Sequence, residues 1–407
     1  MKQTKRQPTF FASCPRGLEE LLANEANNLN LQPEVTRGGI SFDCSNQEAI
    51  SFLLQTRLAS RVYRVIQTIN FKNQADLFSK LQEKWWYKEF DLEQTFKVDV
   101  LLSRDAQDDF KNSLFLAQKI KDVIVDQFRE KYERRPSVEL KHPDISFLVH
   151  IQKQNNNFKA IVSVDLCGDP LSNRGYREKN HRAPLRENLA AALVLATDWK
   201  KDENFIDPMC GSGTILIEAM MIRLDLFPSY LKVRQLIEKR SNPYSFVRHK
   251  WFLKNPELPP FFQKEVERIY NTSLEKLNSS DKKQFFANDH SFESIALTKQ
   301  NIRNAFLPLD CIQFSQTDAT HLLPPCQAPG VVLLNPPYGE RLGEDQEELE
   351  ELYHEIGENL KENYQGFRAY IFTGNLELRK SIGLQTSARI PFYNGNIECR
   401  LLRYNLY

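Results

Sequence analysis

A short apolar run that stops at two prolines constrains the fold of this chain more than any other stretch. Residues 331–334 are all apolar, which is typical of a strand buried on both faces. Pro336 and Pro337 end it, because proline cannot donate to a sheet ladder and fixes the backbone. Asn335 and Tyr338 are therefore expected on a stiff turn at the carboxyl end of a strand, where open α/β sheets bind ligands. An ordinary strand exit is the alternative, since Asn-Pro is also common turn chemistry.

The composition favours a soluble globular protein. Hydrophobic residues make up 41% and charged residues 26% of the 407 positions, enough for two or three domains. The net charge of +1 means that a polyanionic partner must be met by a local patch. The seven cysteines have no zinc or redox spacing, and no apolar stretch suits a signal sequence or a bilayer span. We therefore expect a cytoplasmic protein without a bound metal.

Two kinds of pattern divide the chain. Residues 1–66 and 67–167 each mix short strands with helices, which predicts two small α+β units. Residues 168–186 contain the Gly, Pro and Asn that are typical of a linker. From residue 187 onward strands and helices alternate, which predicts a doubly wound α/β sheet with helices on both faces. Helices and loops at about 228–283 interrupt this alternation and are interpreted as an insertion.

The linker concentrates cationic side chains around an aromatic ring. Arg174, Arg177 and Arg182 lie close together in sequence, with Tyr176 between the first two. Phosphates attract cations and unstacked bases pack on aromatic faces, so this pattern fits a strand of nucleic acid. A solvated linker with scattered charges is the alternative, and composition alone favours that alternative.

A glycine-rich loop follows another predicted strand. Asp207 ends residues 204–207, and Gly211 and Gly213 lead from it into a helix that begins at Thr214. Glycine allows positive φ and close backbone approach, and the first turn of a helix offers unpaired N–H groups. The loop is similar to a dinucleotide fingerprint but lacks the third glycine, and no P-loop lysine follows it. A ligand carboxylate or a phosphate would suit this loop equally.

Acidic residues follow the next two predicted strands. Asp289 follows residues 284–288, a position that hydrogen-bonds ribose hydroxyls in nucleoside-binding folds of this type. Asp318 follows residues 311–315, where it could accept a hydrogen bond from an adenine amino group. Each aspartate alone could instead be a helix N-cap. Three such strand ends in order, with Asn335 after the fourth strand, favour a ligand site at the carboxyl edge of the sheet.

These motifs together resemble a known enzyme family. Residues 207–214 and 335–338 are similar to motifs I and IV of class I S-adenosylmethionine-dependent amino-methyltransferases. With residues 171–177, 183–187 and 339–342 added, nearly the whole chain resembles the bacterial 23S rRNA guanine-N2 methyltransferases that carry a THUMP domain. Members of that family are often labelled N6-adenine-specific DNA methylases, on the strength of the Asn-Pro-Pro-Tyr motif alone.

The resemblance implies a fold and a cofactor. Residues 1–66 would form a ferredoxin-like α+β domain and residues 67–167 a THUMP RNA-binding domain. Residues 187–407 would form a class I Rossmann-like methyltransferase domain with a seven-stranded, mostly parallel sheet. The methyl donor would be S-adenosyl-L-methionine, with S-adenosyl-L-homocysteine as the product. The donor would contact the glycine loop and three further strand ends, namely Asp207, Pro208, Met209, Cys210, Gly211, Ser212, Gly213, Thr214, Asp289, Asp318, Ala319 and Asn335.

The resemblance also implies how the methyl acceptor is held. An exocyclic amine conjugated to a purine is a poor nucleophile, because its lone pair is delocalised. The Asn335 side-chain oxygen and the Pro336 carbonyl would accept its two N–H bonds, and Tyr338 would stack on the extruded base. The implied catalytic residues are Asn335, Pro336, Pro337 and Tyr338. The implied RNA contacts are Arg174, Tyr176, Arg177, Arg182 and Arg341.

Three functions remain open from the sequence. The first is methylation of an exocyclic amine in RNA, at guanine N2 of 23S rRNA, either free or in an assembling large ribosomal subunit. The second keeps the chemistry but acts on adenine N6 in DNA, and nuclease digestion of the methylated nucleic acid would separate the two. The third is a non-catalytic RNA-binding assembly factor, which the intact motifs at residues 207–214 and 335–338 oppose.

Overall fold

Two α+β units at the amino-terminal side build one sheet. The computed structural model describes residues 9–110, 112–177, 185–278, 284–339 and 345–407. The first unit contains β1 (Phe10–Ser13), α1 (Glu19–Asn28), β2 (Glu34–Thr36), β3 (Gly39–Phe42), α2 (Asn46–Gln55) and β4 (Arg61–Phe71). The second unit adds α3 (Gln74–Gln82), β5 (Phe96–Leu102), α4 (Ser113–Tyr132), β6 (Ile145–Gln154) and β7 (Asn157–Asp165).

The strand β4 joins the two units, because it is long enough to pair in both. The strand order is β2-β3-β1-β4-β7-β6-β5. Pairing of β4 with β1 covers Arg61 to Arg64, and pairing with β7 covers Tyr63 to Phe71. The register with β7 shifts between Val65 and Gln67, which is the signature of a bulge. The domain boundary predicted after residue 66 thus falls inside one continuous strand, and it stays a prediction.

The carboxyl-terminal part forms the predicted doubly wound sheet. Its elements are α5 (Glu187–Ala196), β8 (Asn204–Asp207), α6 (Thr214–Arg223), α7 (Tyr230–Lys239), α8 (Lys250–Leu253), α9 (Leu258–Asn278), β9 (Phe285–Asn288), α10 (Phe292–Asn304), β10 (Ile312–Ser315), β11 (Gly330–Leu334), α11 (Gln346–Asn363), β12 (Arg368–Thr373), β13 (Ala388–Asn394) and β14 (Ile397–Asn405). The strand order is β10-β9-β8-β11-β12-β14-β13. Neighbours from β10 to β12 are parallel, whereas β14 runs antiparallel to β12 and β13. The predicted seven-stranded, mostly parallel sheet is confirmed.

The strand β11 lies at the centre of this sheet, as its apolar sequence predicts. It pairs in parallel with β8 on one side and with β12 on the other. Val331 and Leu333 pack into the core on the face of α5 and α6, whereas Val332 and Leu334 pack into the core on the face of α11. Each of these side chains is at most 2% exposed. Burial of this extent contributes about 1.5–3 kcal/mol per side chain.

The helices α7, α8 and α9 fill the predicted insertion and pack against the first α+β unit. α9 contacts both α7 and α2. Phe246 and Phe262 pack edge to face, with ring centroids 5.1 Å apart, and Trp251 Nε1 donates to Asn46 Oδ1 at 3.1 Å. The insertion therefore closes the junction between the first unit and the second sheet. No helix within the described ranges is both long and apolar enough to cross a membrane.

Glu218 on α6 is buried between two arginines from other parts of the chain. Arg57 Nη1, after α2, lies 3.4 Å from one carboxylate oxygen, and Arg174 Nε, in the linker, lies 3.3 Å from the other. The Arg174 guanidinium also donates to the backbone oxygens of Leu171 and Arg57. These contacts join the first unit, the linker and α6 in one buried network.

We expect Glu218→Ala to destabilise the chain by about 3–5 kcal/mol, because two buried guanidinium groups would lose their counter-charge. Glu355→Ala, at an exposed position of α11, is the matched control and should change the free energy of unfolding by less than about 0.5 kcal/mol. Urea denaturation followed by circular dichroism measures both variants. Equal stability of the two would show that this network does not hold the units together.

Candidate active site

The carboxyl ends of four neighbouring parallel strands bring the predicted site residues to one edge. β8 ends at Asp207 and pairs with β9, whose last residue lies beside the last residue of β10. On its other side β8 pairs with β11, which ends directly before Asn335. Because parallel strands end at the same edge, Asp289 and Asp318 lie on this edge with Asp207 and Asn335. The order of the motifs along the chain predicts this grouping.

The glycine loop is held in place by α10 and by Asp289. The Gly211 N–H donates to Asp289 Oδ2 at 2.9 Å, and the Thr298 hydroxyl donates to the Gly211 oxygen at 2.8 Å. Asn301 Nδ2 donates to the Ser212 oxygen at 2.9 Å. Each of these bonds involves a backbone group of the loop. The protein itself therefore sets the conformation in which the loop meets a ligand.

Both glycines of the loop are required by the backbone. φ is +54° at Gly211 and +77° at Gly213, in the left-handed region that favours glycine. A Cβ at Gly213 would lie 2.7 Å from Thr298 Cγ2, whereas a Cβ at Gly211 would meet nothing within 4 Å. The Gly211 backbone thus faces open space. Gly213 is the N-cap of α6, whose first-turn N–H groups begin at Thr214, so the loop can offer backbone donors to a ligand carboxylate.

Asp207 carries a carboxyl group that is buried at the end of β8. The residue is 1% exposed, and neither oxygen has a partner with hydrogen-bond geometry among the residues that the structure describes. Burial, together with the charge of Asp289, raises the pKa of Asp207 to about 8, although the Met209 N–H opposes this shift. A carboxyl group in this state suits a ligand that brings a hydrogen-bond donor or a positive charge.

The alternative that Asp289 and Asp318 are helix N-caps is wrong for both. Asp289 accepts from the Gly211 N–H and, at 3.0 Å, from the Ser291 N–H, and it is Ser291 that caps α10. Asp318 is exposed in the loop between β10 and β11, which holds no helix over the described stretch 316–329. It accepts from the Thr320 N–H at 3.0 Å, which lowers the pKa of Asp318. Both carboxylates therefore belong to the strand-end edge.

Asn288 organises this edge, although the sequence prediction passed over it. Its Nδ2 donates to the Pro208 oxygen at 2.9 Å and to the Thr317 oxygen at 2.7 Å. Its Oδ1 accepts from the Thr317 N–H at 3.0 Å and from the Ser315 hydroxyl at 2.8 Å. One buried side chain thus ties the ends of β8, β9 and β10 together. A polar residue directly before Asp289 in a buried strand was the signal that could have found it.

Three other predicted cofactor residues, Met209, Cys210 and Ala319, pack against neighbouring parts of the fold. Cys210 is buried with its Sγ 3.6 Å from Thr298 Oγ1, and burial raises the pKa of this thiol. Met209 packs against the core on the α11 face of the sheet. Ala319 is buried, and its backbone oxygen accepts from Asn359 Nδ2 at 3.0 Å. These contacts hold the backbone around the edge, and the assignment of the three residues as cofactor contacts stays a prediction.

The turn after β11 presents the side-chain amide of Asn335. Asn335 Oδ1 is buried, and no group in the described part of the chain donates a hydrogen bond to it. Pro336 is buried and Pro337 half-buried, so the backbone of the turn is held rigidly. Leaving a buried acceptor unsatisfied costs about 1–3 kcal/mol. A ligand N–H at this position would remove that cost.

The Tyr338 ring is positioned by the strands that follow. Its hydroxyl accepts from Asn394 Nδ2 at 3.1 Å, and its ring packs edge to face on Phe372 with centroids 6.4 Å apart. A Cβ at Gly374 would lie 2.6 Å from Tyr338 Cε2, so the missing side chain at Gly374 makes room for this ring. The ring is thus fixed before any substrate arrives.

Two residues predicted to contact RNA are instead part of the interior. Arg174 is 1% exposed, because its guanidinium is engaged by Glu218 and by two backbone oxygens. Tyr176 is fully buried and belongs to the core that includes α5 and α6. Neither side chain is presented to RNA, which corrects the prediction for both.

Arg177 lies beside the glycine loop. Its Nη2 donates to the Leu185 oxygen at 2.6 Å and to Thr214 Oγ1 at 3.2 Å, and it lies 3.6 Å from a Glu187 carboxylate oxygen. Its side chain is 19% exposed, so that it borders the edge where the ligand residues meet. The two remaining predicted RNA contacts, Arg182 and Arg341, lie outside the described residues.

Comparison with known families identifies the class of enzyme. Residues 174–403 match the family model described as RMKL-like, methyltransferase domain. Residues 9–63 match the RlmL ferredoxin-like domain, and residues 71–165 match the THUMP domain. The chain belongs to the RMKL-like methyltransferase family. The predicted order of a ferredoxin-like region, a THUMP domain and a methyltransferase domain is confirmed.

Relatives in sequence cover this chain almost completely. The Synechocystis sp. protein named "Putative RNA methyltransferase slr0064" is 33% identical over 98% of this chain and 97% of its own length. "Ribosomal RNA large subunit methyltransferase K/L" from Syntrophotalea carbinolica is 35% identical over 98% of this chain but 53% of its own length. The protein of that name from Methylococcus capsulatus is 35% identical, over 98% and 51%. This chain spans about half the length of these K/L relatives.

Solved structures share the whole architecture. SMU.472, "a putative methyltransferase complexed with SAH", is 25% identical with a TM-score of 0.79, over 99% of both chains. A "predicted N6-adenine-specific DNA methylase" from Listeria monocytogenes is 26% identical with a TM-score of 0.79, over 98% of this chain and 96% of that one. TrmN from Thermus thermophilus, 19% identical with a TM-score of 0.65 over 98% of this chain and 100% of its own, shares the fold.

We expect the Asp207 carboxyl group to make the ligand-free protein less stable as pH rises from about 4 to about 8. Its pKa is 3.8 unfolded and about 8 folded, so the folded state binds one more proton across that window. Asp207→Asn removes this titration. Urea denaturation at intervals from pH 5 to pH 9 should show the wild type losing stability relative to the variant up to about pH 8, and a constant difference above it. Parallel profiles throughout would contradict the assignment.

Proposed function

We propose that this chain transfers a methyl group from S-adenosylmethionine to an exocyclic purine amine in RNA, with guanine N2 of 23S rRNA as the acceptor. The observation that carries the proposal is Asn335 Oδ1, a buried oxygen without a hydrogen-bond partner in the described ranges, placed directly after the central strand β11. An exocyclic amine is a ligand that supplies N–H donors and needs an acceptor at a fixed position. The reaction would take place in the cytoplasm, on free rRNA or on an assembling large subunit.

The residues at the sheet edge fit S-adenosylmethionine. When bound, this cofactor supplies a methyl group that is already activated by attachment to a sulfonium. The open backbone at Gly211 and the first turn of α6 would hold the carboxylate of its methionine part. The Asp207 carboxyl, which has no partner with hydrogen-bond geometry in the described ranges, would accept from its ammonium, and Asp289 and Asp318 would bind ribose and adenine donors.

Asn335 and Pro336 act on the amine. The amine lone pair is delocalised into the purine ring, so the free base is a weak nucleophile. If the Asn335 side-chain oxygen and the Pro336 backbone oxygen each accept one N–H bond, the nitrogen is drawn toward tetrahedral geometry and its lone pair is aimed away from the ring. Positioning of this kind can contribute roughly 7–11 kcal/mol to lowering the barrier.

Tyr338 provides the ring on which the base that carries the amine would stack. A base inside a helix or stack cannot reach a strand-end pocket, so it must be extruded and held on a new surface. Because Asn394, Phe372 and Gly374 already fix the Tyr338 ring, stacking on it costs little further ordering. The half-buried Pro337 restricts the backbone between Asn335 and Tyr338.

RNA is favoured over DNA by the non-catalytic part of the chain. Residues 71–165 match the THUMP domain, and the K/L and slr0064 relatives are named as RNA methyltransferases. Methylation of adenine N6 in DNA is the second candidate, because the Listeria monocytogenes structure carries that name and the Asn-Pro-Pro-Tyr sequence is compatible with either amine. Digestion of the methylated product with ribonuclease or with deoxyribonuclease separates the two.

We expect Asn335→Ala to slow methyl transfer to undermodified 23S rRNA by about 10²–10³-fold, the usual cost of losing one preorganised polar contact in a transition state. Affinity for S-adenosylmethionine, measured by calorimetry, should stay within about threefold of the wild type, because the contacts of the glycine loop, Asp207 and Asp289 are untouched and Asn335 is one of many residues implied to contact the donor. Asn363→Ala, at an exposed asparagine of α11, is the control and should retain full activity.

Retention of full methyl transfer by Asn335→Ala would exclude the proposed mechanism. A wild-type protein that binds no S-adenosylmethionine would instead favour the non-catalytic assembly factor. Loss of activity in Asn335→Ala together with loss of cofactor binding would show that this residue holds the cofactor and not the amine.

A further inference from the structure

A cleft of about 750 Å³ lies away from the strand-end edge, between the insertion, the linker and the second α+β unit. α7 of the insertion contributes Lys232 and Lys239 to its wall, and Lys141 enters from the loop before β6. Phe306, just after α10, lines it from the side of the methyltransferase sheet. The 13 residues of α10 separate Phe306 from the strand-end edge by about 20 Å at 1.5 Å per residue.

The cleft is far more basic than the chain as a whole. Eight lysines and arginines but only four carboxylates line it, while the whole chain has a net charge of +1. Its arginines are paired, as Arg61–Asp165, Arg174–Glu218, Arg234–Glu238 and Arg248–Asp144. Lys141, Lys232 and Lys239 make no ion pair with a carboxylate within the described part of the chain. Uncompensated cations in a concave surface attract a polyanion.

Lys232 is a buried member of this group of cations. It is 7% exposed, and its Nζ donates to the backbone oxygen of Pro170 at 3.0 Å. An ammonium carries three N–H donors, and the described residues offer Lys232 Nζ one backbone acceptor and the Tyr244 ring, whose centroid lies 6.0 Å away, so it has room for a further acceptor. Burial lowers its pKa to about 8, which agrees with a charge that lacks full compensation. A phosphate oxygen would supply the missing partner.

Phe306 gives the cleft an aromatic surface at a position where glycine is usual. Its φ is +55°, in the left-handed conformation that commonly follows the last residues of a helix. Its side chain is 48% exposed, and the Arg234 guanidinium lies 3.4 Å from its ring centroid. A large apolar ring kept exposed in a strained backbone, beneath a guanidinium, matches the platforms on which unpaired bases stack.

We propose that this cleft binds the sugar–phosphate backbone of the RNA substrate, with Lys141, Lys232 and Lys239 on phosphates and a base against Phe306. The proposal rests on the proposed function in one respect, namely that the substrate is RNA. It assigns the insertion helix α7 a role in holding RNA beside Phe306, which lies about 20 Å from the strand-end edge by the length of α10. The second α+β unit and the methyltransferase domain would then bind the same RNA molecule.

The lysines are tested by filter binding of protein-free 23S rRNA. Lys232→Met and Lys239→Met should each weaken binding roughly fivefold at 0.1 M salt, and each should lower the slope of log affinity against log salt by about 0.7. Lys141→Met should do the same, which keeps the test open if the buried Lys232 variant fails to fold. Lys254→Met, at an exposed lysine of the insertion that does not line the cleft, is the control. Wild-type affinity and slope in the cleft variants would overturn the proposal.

Phe306→Gly separates binding from stability at the aromatic surface. Glycine adopts a positive φ without steric strain, so the melting temperature of the variant should stay the same or rise. Affinity for protein-free 23S rRNA should nevertheless fall roughly fivefold or more, because a stacking surface is lost. Unchanged affinity in a folded Phe306→Gly variant would contradict the assignment of this ring.

The outcome for the cleft can be distinguished from the outcome for the proposed function. The cleft variants should bind S-adenosylmethionine like the wild type and, at saturating RNA, should keep the wild-type rate of methyl transfer. If they bind RNA like the wild type while the wild type methylates RNA, the cleft proposal fails alone. If the wild type methylates no RNA, the proposed function fails, and the RNA-binding measurements still decide the cleft.

Discussion

The parallel pairing of β8 with β9 and β11 is the constraint on which the site depends. Strands that run side by side in one direction end at one edge, so polar residues far apart in sequence meet there without any further device. This arrangement leaves buried polar groups without hydrogen-bond partners among the described residues, above all the Asp207 carboxyl group and Asn335 Oδ1. These groups destabilise the folded chain at the edge, and the burial of apolar side chains around β11 offsets that effect.

A second constraint links this edge to the rest of the chain. The glycine loop opens into α6, and the middle of α6 carries Glu218, which binds Arg57 and Arg174. The same helix therefore presents backbone donors at one end and anchors the first α+β unit further along. Because β4 is shared between the two α+β units, the THUMP region is held relative to the methyltransferase sheet through continuous hydrogen-bonded structure.

Local patterns predicted the sheet and the order of its functional edge. Residues 331–334 were recognisable because a strand buried on both faces is apolar at every position, and the two prolines fixed its end. The glycine loop was recognisable because positive φ at Gly211 and Gly213 requires that residue type. These features depend on neighbours in sequence, which is why the sequence alone was sufficient.

Features that depend on distant partners were not accessible in this way. Arg174 has the composition of an RNA contact, yet Glu218 and the Arg57 backbone take up its guanidinium in the interior. Asn288 is an ordinary polar residue in sequence and becomes the tie between three strand ends once β8, β9 and β10 are adjacent. The cationic cleft combines lysines from separate units and could be seen only after folding.

The most direct measurement of the central claim is the identity of the methylated nucleoside. Undermodified 23S rRNA would be incubated with the full chain and methyl-labelled S-adenosylmethionine, digested to nucleosides and analysed by mass spectrometry. We expect the label in N2-methylguanosine. Label in N6-methyladenosine, or in no nucleoside of an RNA that the protein binds, would contradict it.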